Sequence, residues 1–187
     1  MKKIILSIIT LLCICVKAQT ISLSTYVEDI KSGMYFKDIE NTLPLFTGKW
    51  AANYEGNMIV LNISDRIEKY PINLLDTNYD RDILFMRYTV NDSSGNQLAT
   101  TMNKTITDAN IISTFSSPDK TKVGFNYKGE ECGIGNGSII LTKIDDNHLK
   151  WQYRSMGGII DPNRCPEYSP NIKSYIPKIL DLVFTRQ

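Results

Sequence analysis

His148 is the only histidine in the chain, and it follows Asp145-Asp146-Asn147. An Asp–His pair can orient an imidazole as a general base. Hydrolysis would then need a nucleophile delivered from elsewhere in the fold, and no G-x-S-x-G elbow occurs. After a turn-forming triplet, His148 reads as a solvent-facing hairpin residue. The best metal candidate is Asp76-Thr77-Asn78-Tyr79-Asp80-Arg81-Asp82, which spaces oxygen side chains as the first half of a calcium loop does. Arg81 stands where that loop wants glycine, and Arg87 where it wants a bidentate glutamate. The stretch therefore reads as a polar hairpin loop, and no metal site is assigned. Cys132-Gly133-Ile134-Gly135-Asn136-Gly137 looks like a phosphate loop, yet it leads into Ser138-Ile139-Ile140-Leu141-Thr142, a strand-forming run. A nucleotide fingerprint must open a helix, so this reads as a tight turn and no cofactor is expected. Glu130-Glu131 and Asp145-Asp146 are adjacent pairs whose side chains diverge, which does not make a glycosidase pair. No catalytic residue is assigned, and the protein is expected to be non-enzymatic.

The N-terminus sets the chemistry open to the remaining cysteines. Residues 1–18 have the form of an export signal: Lys2 and Lys3, an apolar run from Ile4 to Val16, and a Val16-Lys17-Ala18 end that places a small residue at the cleavage point. The run is too short for a comfortable membrane span, and no second apolar run follows. The expected location is periplasmic or extracellular. Lipid anchoring at Cys13 or Cys15 is disfavoured because Leu12 and Ile14 are bulky where a small residue is wanted. Those two cysteines leave with the signal, and Cys132 and Cys165 remain. In an oxidising compartment one disulfide between them is the simplest outcome, with a free thiol pair or half of a metal site as the competing readings. The full chain carries a formal charge of +1. Losing Lys2, Lys3 and Lys17 takes its 21 basic residues to 18 against 20 acidic ones, near −2. That balance gives no electrostatic reason to expect nucleic acid or an anionic membrane as partner. At 42% hydrophobic and 22% charged, the composition belongs to a folded domain and not to a disordered chain.

The elements that must position these residues are strands. Residues 19–45 read as an N-terminal arm with one short helical turn near 36–41, closed by Pro44. From Phe46 the pattern turns β: FTGKWAANY, the turn-rich Glu55-Gly56-Asn57, then MIVLNI, where Ile59, Leu61 and Ile63 share one face. Further strands are predicted at 69–74, 83–91, 97–106, 111–115, 122–127, 138–144, 149–154 and 180–185, separated by Asp-, Asn-, Ser- and Gly-rich turns. Short adjacent strands without strong helix predict an all-β antiparallel meander of about eight to ten strands closing into a barrel, with a two-sheet sandwich as the alternative. The expected organisation is a single β-barrel-like domain over 46–187. Pro162, Pro166, Pro170 and Pro177 crowd into residues 155–178, which reads as a flap that a Cys132–Cys165 bond would pin to the strands.

Gly48-Lys49-Trp50 opens the first long strand. This G-x-W resembles the first barrel strand of lipocalins and related calycins. The resemblance implies a Trp packed at the closed end of a barrel beside a late basic residue, for which Arg186 is the candidate, and a central apolar cavity. The mature chain also resembles an uncharacterised family of short secreted proteins from Bacteroidota. The likeness rests on a signal ending in KAQ, the Gly48–Asn57 hairpin, the Cys132–Gly137 segment, the W-x-Y-R strand (Trp151 to Arg154), Cys165-Pro166 and a final DLVFT strand (Asp181 to Thr185). It implies kinship and carries no activity. Two functions are expected to compete: a carrier that holds a small apolar ligand inside the barrel, and an envelope protein-interaction or inhibitor module whose barrel is a packed scaffold. The plentiful aromatics, among them Phe85, Tyr88, Phe125, Tyr127, Trp151 and Tyr153, read first as core.

Overall fold

Glu55 and Gly56 have φ of 49° and 78°, the pair of positive values that a two-residue hairpin turn requires. They join β3 (Gly48–Tyr54) to β4 (Asn57–Ile63), in register from Gly48↔Ile63 to Tyr54↔Asn57. In this computed structural model the described residues are 19–157, 165–166 and 172–187. The expected export signal, residues 1–18, and the parts of the proline-rich segment at 158–164 and 167–171 lie outside them.

The fold is all-β. Seven further strands join β3 and β4 in one curled antiparallel sheet: β7 (Met86–Asn91), β8 (Gln97–Thr100), β9 (Ile111–Ser116), β10 (Lys122–Tyr127), β11 (Gly137–Lys143), β12 (His148–Ser155) and β13 (Leu182–Arg186). The spatial order is β8-β7-β4-β3-β13-β12-β11-β10-β9. The last strand thus returns beside the first, through Arg186↔Trp50 and Thr185↔Ala51. The opposite seam, between β8 and β9, carries no ladder. A single bridge, Phe85↔Ile112, ties the strand leading into β7 to β9. The meander is therefore a half-barrel, less fully closed than the pattern of adjacent hairpins suggests.

Alternation along these strands fills its interior. Ile59, Leu61 and Ile63 of β4, Met86, Tyr88 and Val90 of β7, Ile139 and Leu141 of β11, and Leu149, Trp151 and Tyr153 of β12 are all buried. Phe46, Trp50, Phe125 and Phe184 complete the core. Each such side chain contributes about 1.5–3 kcal/mol on leaving water, so this aromatic core dominates the stability of the fold.

A second sheet, order β1-β2-β6-β5, is absent from the sequence expectations. It joins β1 (Thr20–Ser22) and β2 (Tyr35–Lys37) of the arm to the hairpin of β5 (Ile67–Leu74) and β6 (Thr77–Ile83). Several expectations change with it. Residues 76–82 are not a polar loop: all but Asp76 belong to β6, an extended strand that sets Asn78, Asp80 and Asp82 on one face at roughly 7 Å intervals, too far apart to wrap one cation. The expected strand 83–91 is two strands. Ile83 ends β6, and at Leu84-Phe85 the chain changes partners: Leu84 N donates to Ser113 Oγ (2.7 Å) and Phe85 N to Ser64 Oγ (2.9 Å). The strand expected at 97–106 stops at Thr100, where the Thr101 side chain takes over by accepting from Tyr88 N (2.8 Å). The helical turn expected at 36–41 is a 3-10 turn at Leu43–Phe46 instead. Its cause is Asp38, whose carboxylate accepts from Thr42 N (2.8 Å) and Leu43 N (2.9 Å), with Pro44 preset for the first turn.

One buried residue sets the second sheet's register. Asp82 is fully buried and accepts from Tyr35 Oη (2.6 Å), Asp38 N (3.0 Å) and Lys69 N (3.1 Å). The last bond turns Lys69 to a φ of 50° and makes the irregularity in the β5–β6 ladder. Burial, then the Asp82 bond, pushes the Tyr35 phenol well above its ordinary range.

Candidate functional site

The G-x-W corner is a built structure. Trp50 is fully buried and donates its indole N–H to Phe46 O (3.1 Å). The Arg186 guanidinium stands 4.1 Å from the Trp50 ring centroid and donates to Thr47 O (3.1 Å) and Asp146 O (2.9 Å). Gly48 makes room for it. Its φ is 105°, and a Cβ there would lie 3.1 Å from Arg186 Nη1. With every polar group of this corner directed at backbone carbonyls, it closes the half-barrel and offers no chemistry.

Cys132 and Cys165 lie at disulfide distance, with Cα atoms 5.7 Å apart. The segment that follows docks firmly. Ile176 is buried in the core, Trp151 donates its indole N–H to Pro177 O (3.0 Å), and Tyr153 N donates to Ile179 O (3.0 Å). The glycine-containing segment runs from a 3-10 turn at Glu131–Gly133 into β11, so no helix N-terminus faces it. Glu130, read only as half of a diverging pair, accepts hydrogen bonds from Tyr88 and Tyr127 at the inner face of the sheet. Burial, reinforced by Glu130, pushes both phenols far above their ordinary range. His148 is the first residue of β12, not part of the turn. Its only side-chain partner among the described residues is Asp145, at 2.9 Å, and that bond holds the Asp145 carboxyl below its usual range. Of the residues singled out in the sequence, Gly48, Trp50 and Arg186 come together, as do Cys132 and Cys165, Glu130 with Tyr88 and Tyr127, and Asp145 with His148.

The space for a ligand lies elsewhere, between the two sheets. A cleft of about 390 Å³ runs between the arm and β9, lined by Leu23, Val27, Ile30, Phe36, Phe115 and Ser116 among others. A second, of about 500 Å³, lies between β5–β6 and β9–β10, lined by Tyr70, Ile72, Tyr79, Ile112, Asn126 and Lys128 among others. Arg81 and Thr114 line both. A third cleft, of about 320 Å³, sits beside the docked segment at Tyr54, Ser174 and Tyr175 and is mainly polar. None of the three is lined by Trp50, Phe125, Trp151 or Phe184.

Arg81 sits in the wall shared by the two larger clefts because β6 pairs it with Phe36 on one side and Tyr70 on the other. Its guanidinium lies 5.6 Å from the Phe36 ring centroid and 5.3 Å from that of Tyr79, and donates to Tyr79 Oη (3.2 Å). It makes no ion pair among the described residues. Its Nε is buried without a hydrogen-bond partner. Burial draws this guanidinium below its ordinary value, though an arginine stays charged in a protein. Among the described residues, no Asp or Glu lines either cleft. Among the described residues no group of three or more His, Cys, Asp or Glu gathers in a metal-binding cluster. Nor is any helix among them long and apolar enough to cross a membrane.

Sequence reasoning missed this site because Arg81, between Asp80 and Asp82, reads as one charge in a solvated run. The available signal was the alternation Tyr79–Arg81–Ile83, which puts an arginine on the apolar face of a strand. No protein-family model, curated protein or solved structure matches the chain.

Proposed function

We propose that the protein is an exported, non-enzymatic binding protein that takes a small, largely apolar ligand in the inter-sheet clefts flanking Arg81, outside the half-barrel. The observation that carries this reading is the contrast in filling. The half-barrel interior is occupied by Trp50, Trp151, Phe125 and Phe184, whereas two clefts of about 390 and 500 Å³ meet at Arg81. Both volumes fall in the usual range of small-molecule sites, and the smaller cleft is lined mainly by apolar side chains. The lipocalin-like part of the reading rests on the Gly48–Trp50–Arg186 corner and the returning last strand. The ligand position departs from that likeness. Export is supported by the signal-like residues 1–18 and by the cysteine pair at bonding distance.

A protein-interaction role is the second reading, favoured by the tip of the β5–β6 hairpin, where Leu75 is 96% exposed beside half-exposed Leu74. Native mass spectrometry of the protein purified from its own host separates the two. A retained small molecule is the expected result. A stoichiometric protein partner with no small molecule would favour the hairpin tip.

A further inference from the structure

Cleft walls reveal their ligand by the polar groups they leave unpaired. In the 390 Å³ cleft Arg81 carries such a group: its Nε has no partner. Leaving a buried charged donor unpaired is costly, so a ligand that satisfies it is favoured over one that does not. The arginine is also an uncompensated charge. Among the described residues no carboxylate lines the cleft, and the guanidinium lies 5.6 Å from the Phe36 ring centroid and 5.3 Å from that of Tyr79. A planar guanidinium fork matches the two oxygens of a carboxylate. The rest of the wall, from Leu23, Val27, Ile30, Phe36 and Phe115, is apolar.

We infer that the ligand is a monocarboxylate with an apolar body, its carboxylate held by Arg81 and its body lying along the arm side of the 390 Å³ cleft. This rests on the cleft reading above and adds the head group. No bond is made or broken, and the recognition is by charge and shape.

The test is isothermal titration of the purified protein with decanoate and with decanol, which share a tail and differ in charge. Decanoate should bind at least tenfold more tightly than decanol. Arg81→Gln should bring the two to parity, and Arg81→Lys should retain part of the preference. Equal affinity of the two ligands for the unaltered protein overturns the carboxylate assignment and leaves the cleft reading standing. Failure of both to bind overturns the assignment and the cleft reading together. Because the comparison of ligands uses the unaltered protein, a variant that folds poorly does not blunt it.

Discussion

The half-barrel interior and the inter-sheet clefts share β9, yet they are built in opposite ways. Ile111 enters the core, while the next residue, Ile112, and Thr114 line the clefts. Inside the half-barrel, the polar tips of four aromatics are paired within the protein: Trp50 and Trp151 with backbone carbonyls, Tyr88 and Tyr127 with Glu130. In the cleft wall, the Arg81 Nε is left without a partner. The core's aromatic donors are spent within the fold, whereas the unpaired charged donor of Arg81 has affinity to spare for a ligand. That difference relocates the site from the place a barrel suggests to the seam that the barrel leaves open.

The comparison breaks first at the core. Trp151→Ala removes a fully buried side chain with its indole hydrogen bond and should cost about 3–5 kcal/mol in chemical denaturation. A loss under about 1 kcal/mol would mean that the interior is not the packed scaffold described. Asp82→Ala comes next, at about 2–4 kcal/mol, because it strands Tyr35 Oη and two backbone N–H groups. Its effect should be local. Amide exchange should accelerate across Thr20–Ser22, Tyr35–Lys37 and Ile67–Leu74, while Gly137–Lys143 and His148–Ser155 stay protected. Uniform loss of protection would show that the second sheet is not separable from the half-barrel.

A pH-dependent loss follows from the buried phenols. Tyr35, Tyr88 and Tyr127 have folded-state pKa values raised above the ordinary value near 10, with burial as the largest cause. The neutral phenol is thus favoured by the fold. Their stabilisation is fully present below pH 10 and lost as pH rises above it. Tyrosinate absorbance should show these three of the ten tyrosines ionising only on alkaline unfolding. Titration of all ten in one reversible step near pH 10 would contradict the closed bonding of the interior. The smallest effect on stability belongs to the cleft wall. Phe115 is partly exposed, and its ring covers Gly124, where a Cβ would collide with it. Phe115→Ala should change stability by no more than about 1 kcal/mol while weakening decanoate severalfold. Unchanged affinity would remove Phe115 from the apolar wall.

What the sequence reveals divides along the same line. The β3–β4 hairpin is legible because Glu55-Gly56 states its turn and Ile59, Leu61 and Ile63 state its buried face, both within a few residues. The Trp50–Arg186 corner is legible as a resemblance, since a glycine two residues before a tryptophan and an arginine at the end of the last strand are positional signals. The second sheet is not legible. Its β1–β2 and β2–β6 pairings are parallel, two of its strands span three residues each, and its register depends on Asp82 meeting Tyr35 across 47 positions. Local propensity carries no trace of such a contact. The clefts exist only because that sheet stands against β9, so the site was hidden for the same reason as the sheet.

The central claim, that ligand lies between the sheets and not inside the half-barrel, is tested most directly by methyl NMR of the protein titrated with decanoate. The account predicts shifts at Leu23, Val27, Ile30 and Ile72, which line the clefts, with Ile59, Leu61, Ile139 and Leu141 unmoved. Shifts concentrated on Leu61, Ile139 and Leu141 would place the ligand in the half-barrel and contradict it.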